Sequence, residues 1–257
     1  MITITELENL LASSANRDPA ELIEEISQIA DALGEHACDA LLAANPELLK
    51  YAPVLTQANR QRVQKHETGE TERMLRLRSG GPTVLSELLG KSERRDYDRV
   101  SAMFQNIDFS GCSRLVMVGC GPSPVSIFHV CDRTEIPDII ALDVVPDAIE
   151  SVRALTRHFG LSHVRAEVCD GREFDYGSTD IVLVANMVSP KADVVSRIAD
   201  TAPIAVQIAV RDPYGLGLLW AESAEQALDP RLKVVGKGHP GLPLSRDVYI
   251  KRRIQER

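Results

Sequence analysis

From Arg114 onward the chain alternates short runs of consecutive apolar residues with longer amphipathic stretches. A run that is apolar at every position reads as a strand covered on both faces, because such a strand has no side to show to water. Such runs fall at Leu115–Val118, Ile139–Leu142 and Ile181–Val184, and largely apolar runs broken by single polar residues at Val164–Val168, Ile204–Ala209, Leu232–Val235 and Val248–Lys251 complete the candidate strands. Between them, helical periodicity predicts helices over about Pro124–Cys131, Pro146–Phe159, Lys191–Thr201 and Gly217–Leu228. Strands alternating with helices build a doubly wound, mostly parallel α/β sheet whose ligand crevice lies at the carboxyl ends of the strands. The last two runs predict a hairpin-like pair, hence an antiparallel edge on a seven-stranded sheet.

Upstream the pattern is helical. Asp18-Pro19-Ala20-Glu21 is a capping box with proline in the first turn, followed by Leu22, Ile23, Ile26, Ile29 and Ala30 at helical spacing. Asn45-Pro46-Glu47 repeats the start signal ahead of Leu48, Leu49 and Tyr51. A third helix, about Val54–Leu77, is heavily charged, with Arg60, Arg62, Lys65, Glu67, Glu70, Glu72, Arg73 and Arg76; a solvated helix of alternating sign gives the same pattern. Ser79-Gly80-Gly81-Pro82 breaks it, and a further helix bearing Arg94, Tyr97, Val100 and Phe104 leads into the sheet. The chain therefore divides into an all-helical extension, residues 1–110, covering the active site, and a Rossmann-like domain, residues 111–257. The apolar faces of the first helices can cover that core or pair with a second copy, as in a homodimer.

Composition narrows the function classes. A net charge of −8 over 257 residues argues against a nucleic-acid partner, which needs a basic footprint to release counterions. The N-terminus shows no basic segment followed by an apolar run, and no apolar stretch reaches the roughly 18 residues of a membrane helix, so a cytoplasmic protein without a membrane partner is expected. The five cysteines are odd in number and lack C-x-x-C pairing, which suits a reducing compartment and a role as small core residues. Cys120 and Cys169, at strand ends, stand within reach of a ligand there. The six histidines show no metal-ligand spacing, and no metal is implied.

The chemistry-bearing segment is Val118-Gly119-Cys120-Gly121-Pro122-Ser123-Pro124 between the first strand and its helix, with Asp143 ending the second strand. Glycines let the backbone close against a ligand, and an acid at the next strand end accepts ribose hydroxyls. A dinucleotide fingerprint would carry a third glycine where Pro124 stands, and Pro122 and Pro124 remove N–H groups that hold a diphosphate. S-adenosylmethionine (SAM), which has no phosphate, suits the turn better. Gly119, Gly121, Pro122, Ser123 and Asp143 are expected to hold it, with Cys169-Asp170-Gly171 at the third strand end meeting the adenine. This makes the sheet a SAM-binding, class I methyltransferase-like one.

SAM activates its methyl, its ribose C5′ and the Cγ of its aminobutyrate arm, and neighbouring groups choose among them. Asn186 and Ser189, after the fourth strand, are polar groups facing the predicted cleft, or else turn and helix caps. Arg211 and Tyr214, after the fifth, can fork a carboxylate and close over a cation; Asp212-Pro213-Tyr214-Gly215 is equally a good turn. Glu67 on the charged helix is a candidate base or ammonium anchor.

Four segments, in order, resemble nicotianamine synthases and the related bacterial synthases of opine-type metallophores. The glycine turn resembles V-G-S-G-P-x-P; Asp180 to Ser189 resembles D-V-V-F-L-A-A-L-V-G; Arg211 to Gly215 resembles R-S-A-H-G; Gly238-His239-Pro240 resembles a late F-H-P. The family's N-Y-x-x-L-x-x-x-E helix is similar to Asn59 to Glu67, with Arg60 in place of the tyrosine. The resemblance implies transfer of SAM's 3-amino-3-carboxypropyl group to the amine of a small amino-acid-like acceptor, releasing 5′-methylthioadenosine. It implies Glu67 as catalytic, helped by Tyr97; from their own positions Asn186, Ser189 and Tyr214 are expected at the reacting groups, and Asn186 and Arg211 also on SAM. Departures at Arg60, Asn186, Ser189 and Pro213 leave acceptor identity open. Cyclisation of SAM by its own α-amine to azetidine-2-carboxylate, with Tyr214 or Tyr176 near the sulfonium, is the nearest alternative. Small-molecule methyl transfer and a non-catalytic SAM-binding role are the others.

Overall fold

The computed structural model describes residues 4–13, 17–77, 85–238 and 244–253. Its strands are β1 (Arg114–Val118), β2 (Asp138–Asp143), β3 (Val164–Val168), β4 (Ile181–Val184), β5 (Gln207–Pro213), β6 (Leu232–Lys237) and β7 (Ser245–Arg252). They form one sheet in the order β3-β2-β1-β4-β5-β7-β6. The first five run parallel, and β7 inserts antiparallel between β5 and β6. This is the class I methyltransferase-like arrangement, and its chain reversal between β1 and β4 opens the crevice at their carboxyl ends. The fifth strand starts and ends later than its apolar run: Ile204 is 64% exposed in the turn after a helix, and pairing with β7 carries β5 on to Pro213, opposite Ser245.

The helices are α1 (Ile4–Ala12), α2 (Pro19–Leu33), α3 (Glu35–Ala44), α4 (Ala52–Leu75), α5 (Lys91–Phe104), α6 (Val125–Arg133), α7 (Pro146–Phe159) and α8 (Lys191–Thr201). Helix α7 shows its punctuation clearly, with Pro146 in the first turn and Gly160 at φ 70° closing the end, a conformation a side chain resists. One sheet face packs on α5, α6 and α7 through Val100, Phe104, Ile127, Val130, Ile149 and Val152. The other packs on α8 through Val194, Val195 and Ile198.

The helix predicted over Gly217–Leu228 does not form. Two 3-10 turns, Gly215–Leu219 and Glu225–Ala227, take its place. A Cβ on Gly217 would run into the Leu244 carbonyl, and the Ala224 and Glu225 N–H groups turn to the Asp212 carboxylate instead of a preceding carbonyl. Leu216, Leu219 and Trp220 from this segment share one apolar cluster with Leu22, Ile26, Leu42, Leu48 and Leu55. The apolar faces of the first helices thus cover the loops above the sheet.

Candidate active site

The turn after β1 is shaped by its neighbours more than by its own bonds. Gly119 and Gly121 adopt φ 77° and 64°, the left-handed region that glycine alone enters freely. The Gly119 and Cys120 N–H groups both donate to the Leu142 carbonyl, at 2.8 and 3.0 Å, and the Gly121 N–H donates to Asp143 Oδ2 at 2.9 Å. With those donors turned to the end of β2, and with prolines at 122 and 124, the turn has little left for a diphosphate.

Helix α4 lies over this turn. The Thr71 hydroxyl donates to the Pro122 carbonyl at 2.7 Å in a buried contact. One helical turn earlier, the Glu67 carboxylate presses on Gly121: a Cβ built there would overlap Oε2 and stand 3.3 Å from Cδ. Farther back on the helix, Asn59, also buried, donates through Nδ2 to Met187 Sδ at 3.2 Å, beyond the end of β4. Glu67 is therefore brought to the glycine turn, and Asn59 and Thr71 tie the helix to β4 and β1 on either side of it.

At the ends of β2 and β3 stand three apolar residues that the strand pattern did not single out. Val144, Val145 and Val168 are 61, 37 and 49% exposed, and Val168 pairs in register with Asp143. Exposed valines beside an acid suit a flat heterocycle followed by a ribose. The usable signal was the apolar pair directly after Asp143. Asp143 itself also accepts from the Val145 N–H at 3.0 Å, so its carboxylate shapes the loop as well as facing the crevice.

Several expected ligand residues have other partners. Asp170 is bound by Arg172 through its guanidinium and its N–H, and this pairing holds the carboxyl below its usual range. Gly171 is buried because a Cβ would meet Val118 and Val194 side chains, at 2.7 and 3.1 Å; it is a packing glycine. Tyr176 is corrected from a residue near the sulfonium to a core residue, its hydroxyl donating to the Gly171 carbonyl at 2.9 Å. Tyr97 packs on His129 with ring centroids 4.5 Å apart and donates to Asp132 at 3.0 Å, well along α6 from the glycine turn. Burial pushes the Cys120 thiol well above its usual range, and Asp143 and Glu67 add to the effect; burial also raises Cys169. Neither is a ready thiolate.

On the far side, Asn186 Oδ1 is buried without a hydrogen-bond partner among the described residues, as is Ser123 Oγ in the glycine turn. Such groups carry a desolvation cost that a bound polar ligand removes. The Ser189 hydroxyl donates to Glu222 at 2.6 Å. Arg211 lies 3.6 Å from Asp247 on β7, its register partner, and Tyr214 is buried beneath the Arg246 guanidinium. Of the late Gly238-His239-Pro240 segment, His239 and Pro240 fall outside the described residues, as does Ser79 to Pro82.

No family model and no curated protein matches the sequence. Solved structures do. A glutamate-to-glutamine variant of MtNAS in complex with S-adenosylmethionine matches with a TM-score of 0.77 at 16% identity, over 99% of this chain and 100% of that chain. MtNAS in complex with MTA and tNA matches with a TM-score of 0.78 at 16% identity and the same coverage. The fold is that of the nicotianamine synthase MtNAS. Because the match to MtNAS spans this chain almost end to end, it includes the N-terminal helices and α4 as well as the sheet.

Proposed function

We propose that the protein is a SAM-dependent transferase that moves the 3-amino-3-carboxypropyl group of SAM onto the amine of a small amino-acid-like acceptor. The supporting geometry runs across the sheet. Val144, Val145 and Val168 offer an apolar seat at the ends of β2 and β3, and Asp143 stands where a ribose would follow. A ligand seated so extends its other arm over the adjacent β1 turn and the end of β4, where Ser123, Asn186 and Glu67 lie. Those residues fit SAM: the unpartnered Asn186 Oδ1 suits its ammonium, the Ser123 hydroxyl suits its carboxylate, and the Glu67 carboxylate suits a sulfonium.

The observation that carries the reading is the Glu67 carboxylate held against Gly121, at the turn over which a ligand seated in this way would extend its aminocarboxypropyl arm. In the reaction the acceptor nitrogen bonds to Cγ, the Cγ–S bond breaks, and its electron pair returns to sulfur as 5′-methylthioadenosine leaves. Glu67 takes the proton that the nitrogen loses, and α4 keeps water from the reacting groups. The complexes of MtNAS with S-adenosylmethionine and with MTA support a SAM-dependent reading of this site.

Incubating the protein with SAM, with and without histidine or aspartate, tests it. Methylthioadenosine formed only with acceptor is the expected outcome. Methylthioadenosine from SAM alone, with stoichiometric azetidine-2-carboxylate, would move the nucleophile to SAM's own amine. S-adenosylhomocysteine would overturn the reading in favour of methyl transfer.

A further inference from the structure

On the acceptor side of the crevice, two carboxylates stitch three segments together. Lys191, the first residue of α8, and Asp212, near the end of β5, are each 0% exposed. Lys191 Nζ donates to the Arg211 carbonyl at 2.9 Å and lies 3.5 Å from Asp212 Oδ1. Asp212 also accepts from the Ala224 N–H at 2.7 Å and from the Ser223 hydroxyl and Glu225 N–H. In return Glu222 accepts from the Ser189 hydroxyl at 2.6 Å and the Lys191 N–H at 3.3 Å. A sealed ion pair gains little stability over apolar residues of equal volume, because both charges lose their water. What this pair does hold is geometry. It fixes the end of β5 and the Ser223–Glu225 segment to the β4–α8 loop, which carries Asn186 and whose Val188 fills the space a Gly119 Cβ would need, at 2.6 Å.

We propose that Lys191 is a positioning residue for the transfer described above, joining β5 to the β4–α8 loop so that Asn186 keeps its place beside the aminocarboxypropyl arm of SAM. The inference rests on that function. Three charged groups face the ammonium: Asp212 and Arg211 of β5, and Glu222. Burial lowers the Lys191 pKa to about 8, Asp212 and Glu222 oppose the shift, and Arg211 adds to it. The joint therefore loosens as pH rises past about 8, when Asp212 loses its counter-ion.

The test uses the full-length protein and its Lys191→Met variant. Wild-type kcat for methylthioadenosine release should fall on an alkaline limb near pH 8. In Lys191→Met that limb should vanish and kcat should drop roughly tenfold, with SAM affinity by calorimetry changed less than about threefold. An unchanged kcat and an unchanged limb would overturn the proposal. Amide hydrogen exchange of the substrate-free wild type, corrected for intrinsic pH dependence, reads the joint without the reaction. Protection at Lys191 and Ala224 should fall above about pH 8. Protection that stays uniform overturns the joint, even should Lys191→Met fail to fold. A normal exchange response with no methylthioadenosine from any acceptor would instead sink the transfer reading.

Discussion

At the scale of single residues, the site turns on a carboxylate meeting a backbone with no Cβ. Glu67→Gln keeps the shape of the contact with Gly121 and removes the proposed base, so methylthioadenosine release should drop by about 10²–10⁴-fold while SAM binding by calorimetry stays nearly constant. Parallel loss of binding would make Glu67 a ligand anchor and not a base. Glu67 was singled out in the sequence by the charged helix and by the family resemblance over Asn59 to Glu67, and the structure brings its carboxylate against the glycine turn. Asp143 was legible as the acid ending β2. Tyr176 misled, and Tyr97 and Gly171 carry packing contacts of the same kind: tyrosine and glycine serve packing as readily as chemistry, and only neighbours decide which. Here those neighbours are Asp132, the Gly171 carbonyl, and the Val118 and Val194 side chains.

At the scale of elements, α4 is the instructive one. Its existence was plain from the charged run, but not which side faces inward, since the buried face includes polar Asn59, Glu70 and Thr71 beside Leu55, Ala58 and Met74. Each polar group there is spent on a specific partner: Met187 for Asn59, Arg73 and the Gly90 N–H for Glu70, Pro122 for Thr71. Apart from Arg73, one turn along the same helix, these partners are distant in the chain and leave no periodic trace. Thr71→Val keeps the side-chain shape but strands the Pro122 carbonyl, so it should cost about 1–3 kcal/mol of stability by urea denaturation. It should also lower kcat, because Glu67 sits one turn away on the same helix. Thr71→Ser restores the donor and should recover most of both. A serine variant as impaired as the valine one would show that the methyl, not the hydroxyl, fixes α4. The failed Gly217–Leu228 helix follows the same logic, as a local apolar pattern yields to the Asp212 carboxylate and the Leu244 carbonyl.

At the scale of the whole molecule, acid stability depends on a histidine that never meets water until the chain unfolds. His129 is 4% exposed, its ring between Tyr97 and Phe104, with centroids at 4.5 and 4.7 Å. Neither ring nitrogen has a hydrogen-bond partner among the described residues. Burial lowers its pKa from 6.5 to about 4; Arg133 adds to the shift, and Asp132 opposes it. The unfolded chain therefore binds a proton between those two values that the folded chain refuses. Stability then rises with pH across that window and is lost as pH falls from 6.5 toward 4, by roughly 3 kcal/mol in full. The carboxylates that arginines hold below their usual range, Asp138 and Asp170, lose their contribution lower, as pH falls past their ordinary value of 3.8. Asp247, whose pKa burial raises, works in the opposite sense just above 3.8, so the acid loss in the window comes from His129 and is partly offset by Asp247. Urea midpoints at about pH 7.5 and pH 5 should differ in the wild type, with the protein weaker in acid. His129→Phe replaces the ring with one that suits the same aromatic contacts and carries no titrating group. In that variant the two midpoints should converge, with the larger gain at the lower pH. A pH dependence that survives the substitution would place the acid-sensitive group elsewhere in the fold.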